Sequence, residues 1–234
     1  MSGRFKARTS GGSKAGWETD FLSQDNSVAR FGVEISMENF EAKLGEAFGG
    51  GFYVGRFHVG SAEYALIVAP KSAGETKGTW VEHGVEIHAA RSCCDGAANT
   101  MAMADAGSEL ASLIAGLEIN GLRDWYLPSR DELEMCYRNL KPTSDENYCT
   151  FRDGDNASSI PVGYPYTEQE PAQTTVNVFM AGGAEAFDPA WYWSSTQYSR
   201  HGAYVQDFNG GDQYDDAKLI TLRARAVRRV LISN

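Results

Sequence analysis

The chain has 234 residues, 42% of them hydrophobic and 12% aromatic, with 25 Gly and a formal net charge of −10. That length suits one sizeable domain plus an arm, or two small domains, and the Gly and aromatic content favours short strands and turns over a helical bundle. No apolar stretch is long enough to cross a bilayer, so no membrane insertion is expected, and the acidic balance argues against a nucleic-acid partner.

Residues 1–16 are Gly, Ser and basic, with Arg4, Lys6, Arg8 and Lys14 and no acid, which leaves about −14 on the rest of the chain. They read as a flexible arm, and no apolar signal core follows the basic start, so synthesis and folding in a bacterial cytoplasm are expected. Phe21, Leu22, Val28, Phe31, Val33 and Ile35 suggest short extended pieces, and 37–44 a short helix with Ser36 as its cap. The run Gly49-Gly50-Gly51 is a strong breaker and places a boundary between an attachment segment, 1–48, and a main domain, 49–234.

A hairpin is expected where 52–59 and 64–69 flank Gly60-Ser61. Residues 71–96 hold few apolar anchors and read as loop. Met103, Ala106, Leu110, Leu113, Ile114 and Leu117 recur at helical spacing, with Gly121 as the cap beyond. A second helix opens at Ser129, with Glu132 three residues on and Leu133, Tyr137 and Leu140 as its buried face; Pro142 stops it. The stretch 147–189 is too long for a plain connection and reads as functional surface structure. Strands follow at 190–196, 204–208 and 223–231.

Candidate chemistry is sparse. Cys93, Cys94, Cys136 and Cys149 read as reduced thiols, because no secretory signal accompanies them. His83, His88, Cys93 and Cys94 cluster, but their spacing matches no closed zinc site. Asp153, Asp155 and Asn156 around Gly154 lack the closing Glu of a calcium loop and read as a solvated turn. Ser194, Ser195 and Thr196 form no triad with His201, and the adjacent pairs Asp131/Glu132 and Asp215/Asp216 offer no division of acid from base. Neither a cofactor nor a metal nor catalysis is expected. Trp125, Trp191 and Trp193 fit the core better than a sugar platform, and Arg223, Arg225 and Arg228 fit ion pairs with the acidic body.

Four segments, 50–55, 124–133, 192–196 and 223–229, occur in an order that resembles the Lcl C-terminal domain family, over about residues 50–231. That family is C-type-lectin-like and occurs in bacterial adhesins and in phage and prophage proteins. The resemblance implies an α+β fold of two helices, an antiparallel sheet with paired terminal strands, and a long loop region. From Trp193 to Arg229 the chain looks closer still to the variable proteins of diversity-generating retroelements. By that likeness the binding patch would be Arg200, His201, Tyr204, Asn209, Asp212, Tyr214, Asp215 and Asp216. It implies a virion tail or fibre protein and homo-oligomer that binds a host cell-surface protein or glycan. Residues 1–48 would join it to other virion proteins. The alternatives are a bacterial surface adhesin and an enzyme of the formylglycine-generating type. The latter needs a reactive cysteine pair, a role in which Cys136 and Cys149 cannot be placed.

Overall fold

In the computed structural model the described residues are 34–82, 84–150 and 152–233. The basic arm, the extended pieces expected from Phe21 to Val33, and His83 lie outside them.

The architecture is α+β, with two sheets between helices. Strands β1 (Glu34–Ser36), β2 (Ala47–Phe48), β3 (Gly51–Val59) and β4 (Ala62–Val68) belong to the first sheet. A single turn α1 (Lys71–Gly74) leads to β5 (Glu75–Gly78) of the second. Helices α2 (Gly96–Asp105), α3 (Glu109–Ala115) and α4 (Arg130–Leu140) follow. After them come β6 (Ser159–Ile160), β7 (Trp191–Gln197), β8 (Gly202–Asp207), β9 (Gln213–Ala217), β10 (Leu222–Arg225) and β11 (Val227–Ser233).

The first sheet runs β1-β11-β4-β3-β2, with β6 added on β3, and the second runs β5-β10-β7-β8-β9. The hairpin at Gly60-Ser61 forms as expected: Val59 pairs with Ala62, and Gly60 takes φ +61°, which glycine adopts without a Cβ penalty. The last strand returns to this hairpin, pairing antiparallel with β4 from Val227↔Val68 to Ile232↔Glu63.

Consecutive apolar residues of β4, with Ala69 just after it, explain why both sheet faces are covered. Ala65, Ile67 and Ala69 enter one core with Met103, Leu110, Ile114 and Trp193. Leu66 and Val68 enter the other with Leu133, Tyr137, Leu140, Tyr192 and Phe208. Alternate strand residues point to opposite faces, so one run feeds both layers.

Four expectations are corrected. Only a 3₁₀ turn, Met37–Asn39, stands where a helix was expected at 37–44, and the Ser36 side chain makes no capping bond to it. The periodic run 103–117 is two helices: Gly107 takes φ +90°, and Ser108 caps α3 by accepting from Ala111 N. Gly121 has the expected positive φ, +77°, but serves the Ile119–Leu122 turn and caps no helix. The terminal strand is two strands in different sheets, because at Ala226 the chain crosses from β10 beside β5 to β11 beside β4. The 71–96 segment also contributes β5.

The boundary expected at Gly49–Gly51 falls within the first sheet. Glu34–Ser36 pairs with Leu231–Ser233, Ala47–Phe48 pairs with Gly51–Phe52, and Ile35, Met37, Phe40 and Phe48 pack on the core. The described part of the attachment segment is thus built into the domain's sheet. No described helix is long and apolar enough to cross a membrane.

Candidate recognition surface

The eight residues of the expected patch lie on β8, β9 and the turns at either end. Register decides which of them meet. Tyr204 stands opposite Asp215, so their side chains share a face; Tyr214 stands opposite Val205 and Asp216 opposite Ala203, on the other face. Val205 and Ala203 point into the first core. Tyr214, 63% exposed, extends beyond it at the sheet edge.

Arg200 and His201 sit exposed on the turn before β8, while Asn209 and Asp212 sit on the turn after it. Six strand residues separate the two turns, roughly 20 Å at about 3.3 Å per residue. The structure therefore splits the eight residues between two faces and two ends.

On the Tyr204 face the structure adds partners that sequence spacing did not indicate. Tyr198, 52% exposed, meets Tyr204 edge to face, with centroids 5.3 Å apart at 78°. Its backbone is fixed because Tyr198 N and Ser199 N both donate to Gly202 O. The Arg130 guanidinium lies 5.9 Å from the Tyr204 ring centroid. It is held by the Asp131 carboxylate at 2.8 Å and by Asp155 O at 3.1 Å. Asp215 completes the group: a Cβ on Gly202 would come within 2.5 Å of Asp215 Oδ2, so the bare glycine is what admits the carboxylate.

Burial raises the Tyr204 phenol, with Arg130 acting against it, and burial with the neighbouring Asp216 raises Asp215. The half-buried Cys93 neighbours Arg130 and Tyr204 electrostatically, and burial pushes its thiol up.

Helix α4 delivers Arg130 to this face for a local reason. Ser129 accepts from Glu132 N, and Glu132 Oε2 accepts from Ser129 N at 2.7 Å, the capping box expected from sequence. The same carboxylate, fully buried, also accepts from Gly96 N and Tyr126 Oη, so it ties α4 to the start of α2.

The long stretch 147–189 is pinned to α4 by polar side chains. Asn156, fully buried, donates to Asp131 O and Glu134 Oε2 and accepts from Ser158 N and Ser159 N. Arg138 donates to Gly154 O and Tyr164 O, and Asn147 joins Tyr137 to Thr167 O and Pro171 O. Asp153 is 2% exposed, and its carboxylate accepts from Thr150 and from Gln213 N. The solvated turn expected at Asp153–Asn156 is instead a packed joint against β9.

The remaining candidates take structural positions. Trp125 and Trp193 are core residues, and Trp191 is partly buried against the same core. The hydroxyls of Ser194, Ser195 and Thr196 donate to the backbone oxygens of Tyr204, Pro128 and Ser92. Arg223 pairs with Glu75 and Asp188, Arg225 with Glu185, and Arg228 with Asp124, as expected, although Arg225 and Arg228 are fully buried. Cys136 is sealed in the core, where burial drives its thiol far up, and Cys149 is exposed. No protein-family model matches the chain, and no curated protein matches it either.

Proposed function

We propose that the chain is a recognition protein and not an enzyme. Its main domain would be C-type-lectin-like and would serve a phage or prophage tail or fibre by binding a host cell-surface protein or glycan. Residues 1–48 would attach it to other virion proteins, and a homo-oligomer would present several copies at once. The order of hairpin, helices, long anchored stretch and a last strand pairing back on the hairpin supports this reading, together with the resemblance of the four segments.

The observation that carries it is the Tyr198–Tyr204–Arg130–Asp215 face. A sheet packed against the core holds the exposed Tyr198 beside the partly buried Tyr204, Arg130 and Asp215, aromatic and polar side chains with the chemistry of an anchor that gives large contact area at low entropy cost. The Ser194, Ser195 and Thr196 hydroxyls near the face are taken up by backbone oxygens.

The test has two arms. Mass spectrometry of purified particles should find the chain, and the purified protein should compete with particle adsorption to host cells. Tyr198→Ala with Tyr204→Ala should weaken that competition roughly thirtyfold, about 2 kcal/mol, with the melting temperature nearly unchanged. Absence from particles would sink the virion reading, and detection on the outer cell surface would favour the adhesin.

A further inference from the structure

The Tyr198 and Tyr204 rings stand nearly perpendicular, 5.3 Å apart, and form a corner beside Gly202. Both lie next to that glycine: Tyr198 N donates to its carbonyl, and Tyr204 follows two residues later on the same strand face. The Asp215 carboxylate rests against the same glycine. The Tyr198 backbone, the strand position of Tyr204 and the Asp215 carboxylate thus meet at one glycine, beside the perpendicular ring pair.

Charge decides what this corner attracts. Ring faces carry the negative end of the aromatic quadrupole and draw cations. The face already shows this at Arg130, whose guanidinium lies over the Tyr204 ring. Arg130 is neutralised by Asp131 at 2.8 Å and contributes little net charge. No ion pair to Asp215 is found among the described residues, and the charge that acts on it is the like-charged Asp216. An anion would meet this carboxylate unshielded. A hard metal ion would find too few oxygens, since calcium takes six to eight.

We infer that the Tyr198–Tyr204 corner, closed by Asp215, is a binding site for an organic ammonium group. The inference deepens the recognition reading and rests on it for the site's biological role, though not for its chemistry. Two sources present this group on a cell surface: the lysine side chain of a protein and the quaternary ammonium of a choline-type headgroup. The rings contact either, and the carboxylate balances the charge.

The experiment is a chemical-shift titration of the ¹⁵N-labelled full chain with three probes. Choline chloride represents the quaternary group, Nα-acetyl-lysinamide the primary one, and 3,3-dimethylbutan-1-ol is choline's neutral isostere. At least one cation should give saturable shifts at 198–204 and 213–217, and the neutral alcohol should bind at least about tenfold more weakly. Asp215→Asn and Tyr198→Ala should each reduce cation binding severalfold. Tyr204→Phe should retain it, because the ring face is the contact. Tyr214→Ala, on the opposite face, should match wild type.

Equal binding of alcohol and cation, absence of saturable shifts with both cations, or an Asp215→Asn variant indistinguishable from wild type would each overturn the inference. Asp215→Asn keeps the question decidable if an alanine variant fails to fold. Particle adsorption that still depends on Tyr198 and Tyr204 without cation binding would remove the ammonium site and leave the recognition reading standing. Cation binding by a chain missing from particles would do the reverse.

Discussion

At Lys218 a fully buried ammonium donates to a backbone carbonyl, Val85 O, and to a side-chain amide, Gln197 Oε1, and lies 4.6 Å from the Trp80 ring centroid. Burial lowers its pKa from 10.5 to about 8. Between these two values the unfolded chain holds the proton and the folded chain releases it, so stability should rise as pH increases from about 8 to 10.5. Below that window both states are charged and the cost of burying the charge is present in full. Melting temperatures measured across the window should climb more steeply for wild type than for Lys218→Met; parallel curves would refute the assignment. Arg225 is buried too but has a carboxylate, Glu185, at 2.7 Å. Arg225→Ala would leave that acid without its cation and remove the bond to Ala69 O, so urea unfolding should show a loss of about 3–5 kcal/mol. Arg228 repeats the pattern with Asp124. The alternating arginines were legible as ion-pair formers, whereas their depth was not, because burial depends on which neighbours the crossing at Ala226 brings over them.

Among the elements, α4 was the most legible, because its start is a local event: Ser129 and Glu132 close the cap within one turn. Ser129→Ala should cost about 1 kcal/mol in denaturant unfolding. Glu132→Ala should cost more, since Gly96 N, Ser129 N and Tyr126 Oη all lose their acceptor. The split between α2 and α3 was less visible, although Gly107 and Ser108 carry its signal; an apolar period ran across the break, and the exposed Ala106 and Leu113 fell on it by chance. Strand β9 escaped notice because Gln213-Tyr214-Asp215-Asp216 lacks β-branched residues, and its partner β8 supplies the order. As the edge of its sheet, β9 must also avoid pairing with other molecules. Carboxylates cover its free N–H groups: Asp153 Oδ1 accepts from Gln213, Asp215 from its own N–H, and Asp216 Oδ1 from Ala217. Burial and the neighbouring Asp216 make Asp215 take up its proton at a higher pH than an ordinary carboxyl, and protonation weakens its hold on that N–H. Light scattering should therefore show self-association on acidification, and covering the edge with Ala217→Pro should suppress it. Monodisperse behaviour of the folded wild type through the carboxylate range would count against this role.

For the molecule as a whole, sequence order indicated the hairpin, and the resemblance implied a last strand that returns to pair. Sequence order could not indicate that the expected patch divides, because facing is set by the β8–β9 register, and a one-residue change of register would turn Tyr214 to the Tyr204 face in place of Asp215. Nor could Gly49–Gly51 reveal that Glu34–Ser36 lies beside the last strand, a contact spanning almost the entire described chain. That pairing is parallel, so residue 34 and residue 233 leave the two strands at opposite ends. Tension applied between them drags β1 along β11 and loads the Glu34↔Leu231, Ile35↔Ile232 and Ser36↔Ser233 pairs together. An antiparallel neighbour gripped at its adjoining ends would instead peel one pair at a time. A protein held at residue 34 and pulled at residue 233 meets the load in shear, so the strand that joins the domain to whatever precedes it is also its mechanical clasp.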